Sequence, residues 1–163
     1  MDSIRIKNIR SIVDSGDIHL SSINILLGKN SSGKSSFLRL FPMLKESARN
    51  ELRGPILWFD ENYDFGSFSN TFSRHAQTGE DGMTLSFTWK HVSDRRASRL
   101  FYSSVSFIES NLDEAESISV SINIGKQRDE IILKSIDIDV DDLHVNVKQQ
   151  DEGNLYDMVV KRG

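Results

Sequence analysis

The sequence predicts an α/β fold in which a strand-loop-helix core carries an appended antiparallel β-meander. Three observations predict it. The apolar run Ile23-Asn-Ile-Leu-Leu27 leads straight into a glycine-bounded loop, Gly28-Lys-Asn-Ser-Ser-Gly-Lys-Ser35. Behind that loop Phe37, Leu40, Phe41 and Leu44 recur at i, i+3, i+4 and i+7, one face of a helix. From residue 84 onward apolar residues mostly alternate with polar ones, the period of strands buried on one face and wet on the other.

The gross numbers set the frame. A chain of 163 residues is long enough for one domain that buries roughly two-thirds of its unfolded surface. Absence of cysteine excludes disulfides and thiolate-bound metals and suits a reducing interior. The start, Met1-Asp-Ser-Ile-Arg5, has no basic segment leading into an apolar one, and the longest apolar runs fall far short of a membrane span. A cytoplasmic protein without a membrane partner is expected. A net charge of −4 argues against a surface that is basic all over, so contact with nucleic acid would need a local patch or another part of a larger molecule.

Taken in order, Ser3 to Ile9 alternates Ile4 and Ile6 with Arg5 and Lys7, a half-buried strand. A turn over Asp14-Ser-Gly-Asp17 precedes a second short strand at Ile18-His-Leu20, and the more buried strand Ile23–Leu27 follows. Pro42 lies about two turns into the helix, where it lacks a donor and clashes with the carbonyl of Leu38, so a kink or an early end is expected there. After the apolar run Pro55-Ile-Leu-Trp-Phe59 and a polar loop over 73–83, strands are expected at 84–89, 103–107, 118–124, 131–140, 143–147 and 156–160. One lobe over 1–163 results, with its core in 1–70 and its β-rich part in 84–163.

Gly28 to Ser35 matches G-x-x-x-x-G-K-S/T. The glycines let backbone N–H groups turn inward as a nest around a phosphate, and the helix beginning near Gly33 adds the positive end of its dipole. Lys34 is placed to reach the β- and γ-phosphates, and the Ser35 hydroxyl to take one position on Mg²⁺. The candidate nucleotide site is therefore Gly28, Lys29, Asn30, Ser31, Ser32, Gly33, Lys34, Ser35 and Ser36, with ATP and Mg²⁺ as expected occupants.

The stretches IRIKNIRSI and INILLGKNSSGKSSFLRLFPMLKES resemble the amino-terminal end of the SMC/RecF-like branch of ABC-type ATPases. They are most similar to the AAA-labelled ATPases of bacterial antiphage defence, which include overcoming-lysogenization-defect nucleases, Septu ATPases and retron effector ATPases. RGPILWFDENYDFGSF, residues 53–68, is similar to a segment these proteins place after the loop helix. The resemblance covers about the first 70 residues. It implies the first lobe of an ABC ATPase head, a role for Asn30 in the loop, and a place for Arg10 near the nucleotide. It also implies partners: a carboxy-terminal half or second head, a homodimer or higher oligomer, and a nuclease, toxin or DNA-binding protein gated by ATP.

Hydrolysis in that family needs a distant Asp-Glu strand and a signature loop such as Leu-Ser-Gly-Gly-Gln. The loop motif is absent, and Asp60-Glu61, although it ends an apolar run, follows Lys34 too closely to be that strand. The chain is thus expected to be one lobe of a longer ATPase that lacks the hydrolytic carboxylate strand and the signature loop, with Asp60 and Glu61 the lesser candidates for a catalytic pair. Two rivals stand beside this: a complete small phosphoryl-transfer kinase, and a non-hydrolysing ATP-sensing interaction module. Weaker constellations carry less. Asp137, Asp139 and Asp141 would share one face of a solvated edge strand; Lys90, His91, Arg95, Arg96 and Arg99 cluster near Trp89, Phe101 and Tyr102; His19, His75, His91 and His144 lack metal-ligand spacing.

Overall fold

A computed structural model describes residues 1–50, 54–90, 115–150 and 155–163. Its main feature is one antiparallel sheet. The amino-terminal strands are β1 (Ser3–Ile9), β2 (Ile12–Asp14) and β3 (Ile18–His19), followed by helix α1 (Lys34–Arg49). A separate hairpin, β4 (Phe59–Asp60) and β5 (Tyr63–Asp64), leads to a one-turn helix, α2 (Phe68–Thr71). The meander is β6 (Gly82–Lys90), β7 (Ser117–Gln127), β8 (Glu130–Val140), β9 (Leu143–Gln149) and β10 (Tyr156–Arg162). Across the sheet the order is β10-β9-β8-β7-β6-β1-β2, with β3 also on β1, so the meander continues the amino-terminal hairpin within one layer.

Turn chemistry explains the tight connections. β7 and β8 are joined through Arg128 and Asp129, both at positive φ (47° and 70°), the backbone that a two-residue hairpin matched to strand twist requires. β8 and β9 close through Asp141 (φ 51°) and Asp142, with Val140 opposite Leu143. Such short loops fix register, and register fixes faces. Ile4, Leu85, Ile122, Ile136 and Val145 fall on one face; Arg5, Ser86, Ser121, Asp137 and Asn146 fall on the other.

Helix α1 covers the apolar face near β1. Phe37, Leu40 and Met43 are buried against Ile4, Ile6, Met83, Leu85 and Ile124, while Phe41 and Leu44 pack at the margin. Ile56, Tyr63, Phe65 and Phe68 close the same cluster from the segment that follows the helix. A second cluster, with Ile118, Val120, Val140, Leu143 and Val145, lies farther along the sheet.

Several expectations are corrected. Residues 23–27 are not a strand, and Ile23, Ile25 and Leu27 are 82 %, 77 % and 88 % exposed. Among the described residues no neighbouring strand pairs with this stretch, so its alternation has no ladder to join. Among the described residues no parallel strand pair that would complete an α/β core is seen, and the described fold is sheet-rich and antiparallel. Pro42 does not end α1, which runs on to Arg49. At that turn Leu38 and Arg39 are exposed, so water can satisfy the carbonyl that Pro42 leaves unpaired.

β8 is an interior strand, not an edge. Asp141 leaves it for the turn, where its carboxylate accepts the N–H groups of Glu116 (3.2 Å) and Ser117 (2.8 Å). Asp139 is held by Ser119 (2.9 Å) and His144 (2.6 Å), and Asp137 by Asn146 (2.6 Å), so these carboxylates serve cross-strand pairing. Among the described residues no group of His, Asp and Glu is arranged to hold a metal ion. Trp89 and Lys90 end β6; His91, Arg95, Arg96, Arg99, Phe101, Tyr102 and the strand expected at 103–107 lie outside the described residues.

Candidate functional site

The loop from Gly28 to Gly33 takes its shape from three residues at positive φ, Gly28 (152°), Ser31 (64°) and Gly33 (98°). At Gly33 a side chain would have nowhere to go: a Cβ would lie 2.9 Å from Ile12 Cγ1 and 3.0 Å from Ser11 Oγ. Glycine there lets the β1-β2 hairpin press directly on the loop. Helix α1 then starts at Lys34 with no side-chain cap and no acidic residue in its first turn. Its first N–H groups lack intrahelical acceptors and carry the positive dipole end, which suits an anion.

These groups surround a cavity of about 380 Å³ lined by Arg10, Ser11, Asn30, Ser31, Gly33, Lys34, Ser35 and Ser36. The structure therefore brings together seven of the ten residues singled out from the sequence. Gly28 and Lys29 contribute through their carbonyls, which accept hydrogen bonds from Lys34 Nζ at 2.8 and 2.6 Å. The ammonium is thus folded across the loop and ties its two ends together. Ser32 lies on the other side, in a second hollow of about 420 Å³ whose walls include Ile12, Val13, Leu26 and Phe37. Ser36 is buried and Ser35 exposed, so of the two hydroxyls Ser35 is the one open to an incoming ion.

Arg10 sits in the two-residue turn between β1 and β2, at φ 53°. Its N–H donates to Thr71 O (2.6 Å), its Nη2 donates to Asp64 O (2.9 Å), and its guanidinium lies 4.8 Å from the centre of the Phe65 ring. Such a cation over an aromatic face is held by the ring's quadrupole. The 63–68 segment thereby reaches the cavity wall through Arg10. Sequence reading missed Ser11 as a lining residue and Phe65 as the support of Arg10. For Ser11 the signal was its place beside Arg10 in the turn; for Phe65 there was none, because the contact spans 55 residues of chain.

Two ionisable groups nearby are shifted. The Asp14 carboxyl is held well below the usual carboxylate range, first by the Arg5 guanidinium, which grips both oxygens at 2.9 and 2.7 Å, and then by the Gly16 N–H. Burial raises Tyr63, with Asp60 and Glu46 adding to the effect, so the phenol stays neutral. Asp60 Oδ1 accepts from Asn62 in the β4-β5 hairpin, and neither Asp60 nor Glu61 lines the phosphate cavity.

Loop, uncapped helix end and clustered cations together form an anion cradle of the phosphate-loop kind, attached to an antiparallel sheet. The family profile described as AAA ATPase domain matches residues 1–158, and the chain belongs to that family. Membership implies ATP binding, usually with Mg²⁺. No curated protein and no solved structure matches the chain. Among the described residues no helix is long and apolar enough to cross a membrane.

The residues present fit a magnesium-bound triphosphate. Donors line the cavity, Gly33 leaves room where a Cβ would press on Ser11 of its wall, and Ser35 is exposed at the helix end.

Proposed function

We propose that the chain is the ATP-binding first lobe of an ABC-type ATPase head, with an α/β core completed by a partner. The single observation that carries this reading is the one cavity that Arg10, Lys34 and Ser35 line together with the loop residues Asn30, Ser31 and Gly33. Lys34 neutralises phosphate charge and the amides of Ser31 to Ser35 orient the phosphate oxygens. Ser35 holds Mg²⁺, the ion that screens the triphosphate when bound. Asn30 lines the same space, and Arg10, braced by Phe65, meets the terminal phosphate. The apolar hollow beside Ile12, Val13 and Phe37 is suited to the nucleoside.

No carboxylate lines the cavity among the described residues, which supports a chain that holds nucleotide and by itself hydrolyses it poorly. The exposed row Ile23, Ile25 and Leu27 supports a partner that brings a strand alongside: a carboxy-terminal half or a second ATPase head. In such an assembly ATP occupancy would gate a nuclease, toxin or DNA-binding protein in antiphage defence or repair; the sequence resemblance supports that role.

The test is a titration of a fluorescent ATP analogue with Mg²⁺ into the protein and its Lys34→Ala variant. Saturable binding that the substitution weakens at least tenfold is the expected result. Equal binding by both forms would overturn the proposal, and turnover by the chain alone at ordinary enzyme rates, ~1 s⁻¹ or more, would favour the kinase rival.

A further inference from the structure

Among the described residues the far edge of the sheet from the phosphate loop is β10, and all seven of its residues are exposed. An edge strand presents unpaired N–H and C=O groups, and proteins usually blunt such edges with proline, bulges, inward-pointing charges or charged side chains, of which β10 carries Asp157, Lys161 and Arg162. β10 has no proline, pairs regularly with β9 over its whole length, and keeps Tyr156, Met158, Val159 and Val160 43–59 % exposed.

The orientation of its backbone can be read from its ends. Gln150 N donates to Leu155 O and Gly163 N to Asp142 O, so the residues bonded to β9 are the odd-numbered ones. Tyr156, Met158, Val160 and Arg162 therefore point their N–H and C=O groups outward. Written against itself in reverse, the strand is complementary. With Val159 opposite Val159 of another copy, Asp157 meets Lys161, Met158 meets Val160, and Tyr156 meets Arg162. The outward-facing residues then fall opposite one another as hydrogen-bonded pairs, and Asp157 and Lys161 occupy the closer, non-hydrogen-bonded positions, where opposite charges attract. A slip of one residue would join the apolar face of one sheet to the polar face of the other, and a slip of two would lose both charge pairs. Among the described residues Lys161 has no ion-pair partner within the chain.

We propose that β10 pairs antiparallel with β10 of a second copy about a two-fold axis at Val159, joining two sheets edge to edge. The interaction goes beyond the nucleotide site and does not depend on it. Each phosphate loop stays at the outer end of the joined sheet, six strand positions or roughly 29 Å from the seam at ~4.8 Å per strand. The contact is small for a stable dimer, so association is expected to be weak and concentration-dependent.

Because the chain contains no cysteine, a single introduced thiol reports the seam. At a non-hydrogen-bonded antiparallel pair the Cα atoms lie ~4.5 Å apart, within disulfide range. Under mild oxidation Val159→Cys should give covalent dimer in high yield, and Glu130→Cys, at the exposed β7-β8 turn, should not. In sedimentation, Lys161→Asp should raise the dimer dissociation constant roughly tenfold by setting like charges opposite, and the double exchange Asp157→Lys with Lys161→Asp should restore it. Met158→Pro, which removes only an outward N–H, should abolish the dimer while leaving circular dichroism unchanged. Dimer yield from Val159→Cys no greater than from Glu130→Cys overturns the proposal, as does self-association that the charge exchange does not restore.

Discussion

Ile118, Val120 and Ile122 in β7 and Ile23, Ile25 and Leu27 before the phosphate loop are written in the same period-two pattern, yet Ile118 is 2 % exposed and Ile25 77 %. β7 is paired on both sides, by β6 and β8, and its apolar face lies in the core. The earlier stretch is paired on neither side among the described residues. Alternation specifies which face a strand would bury; only neighbours with free backbone groups turn that pattern into a strand. Within the meander β7, β8 and β9 meet through two-residue turns, whereas the stretch entering the loop has no such neighbour among the described residues.

The sharpest way to break this contrast is to remove apolar side chains from both regions. Ile6 is fully buried beneath α1, and Ile6→Ala should lower stability by about 2–5 kcal/mol in urea unfolding. Ile25→Ala should change it by no more than ~0.5 kcal/mol. A comparable loss at Ile25 would show that the stretch is packed after all.

Next in size is the loop itself. Lys34→Ala should weaken Mg²⁺-ATP binding about 10–100-fold, the ~1.5–3 kcal/mol of a lost charged hydrogen bond, with little effect on unfolding. Titration and unfolding on the same preparation separate the two. Gly33→Ala should cost ~1–2 kcal/mol of stability, since φ 98° strains an L-residue and the new Cβ would strike Ile12. It should also narrow the cradle, and unchanged binding would argue that the loop opens before it accepts a ligand.

The smallest effect belongs to the surface. Asp14 has a depressed folded-state pKa, so its contribution is present above the ordinary carboxylate value of ~3.9 and is lost as pH falls below it. Both partners of the Arg5 pair are more than a third exposed, and solvent screening keeps the term below ~1 kcal/mol. Asp14→Asn should flatten the stability profile between about pH 4 and pH 2 by that amount. A profile identical to the parent would mean the pair adds nothing.

Much of this was legible because it is local. Period two located five described meander strands, β6 to β10, and the apolar spacing after Lys34 located the helix face that holds Phe37 and Leu40. Met43 was missed as a core residue because it falls just beside the i, i+3, i+4 row. The three aspartates were misread as an edge because their spacing says nothing of what lies beside the strand. Pro42 was given too much weight as a breaker, since its cost depends on whether the freed carbonyl can find water.

By itself the sequence determined the phosphate loop, the apolar stripe of the helix behind it and the period-two strands of the meander, all of which depend on residues a few positions apart. Tertiary structure alone decided that Arg10 is braced by Phe65 and Asp64 at the cavity, that β1 lies beside β6, and that Ile23 to Leu27 join no strand among the described residues. The reason is that hydrogen-bond partners and ring contacts between distant segments follow from which surfaces meet, a property of the folded chain that no local spacing encodes.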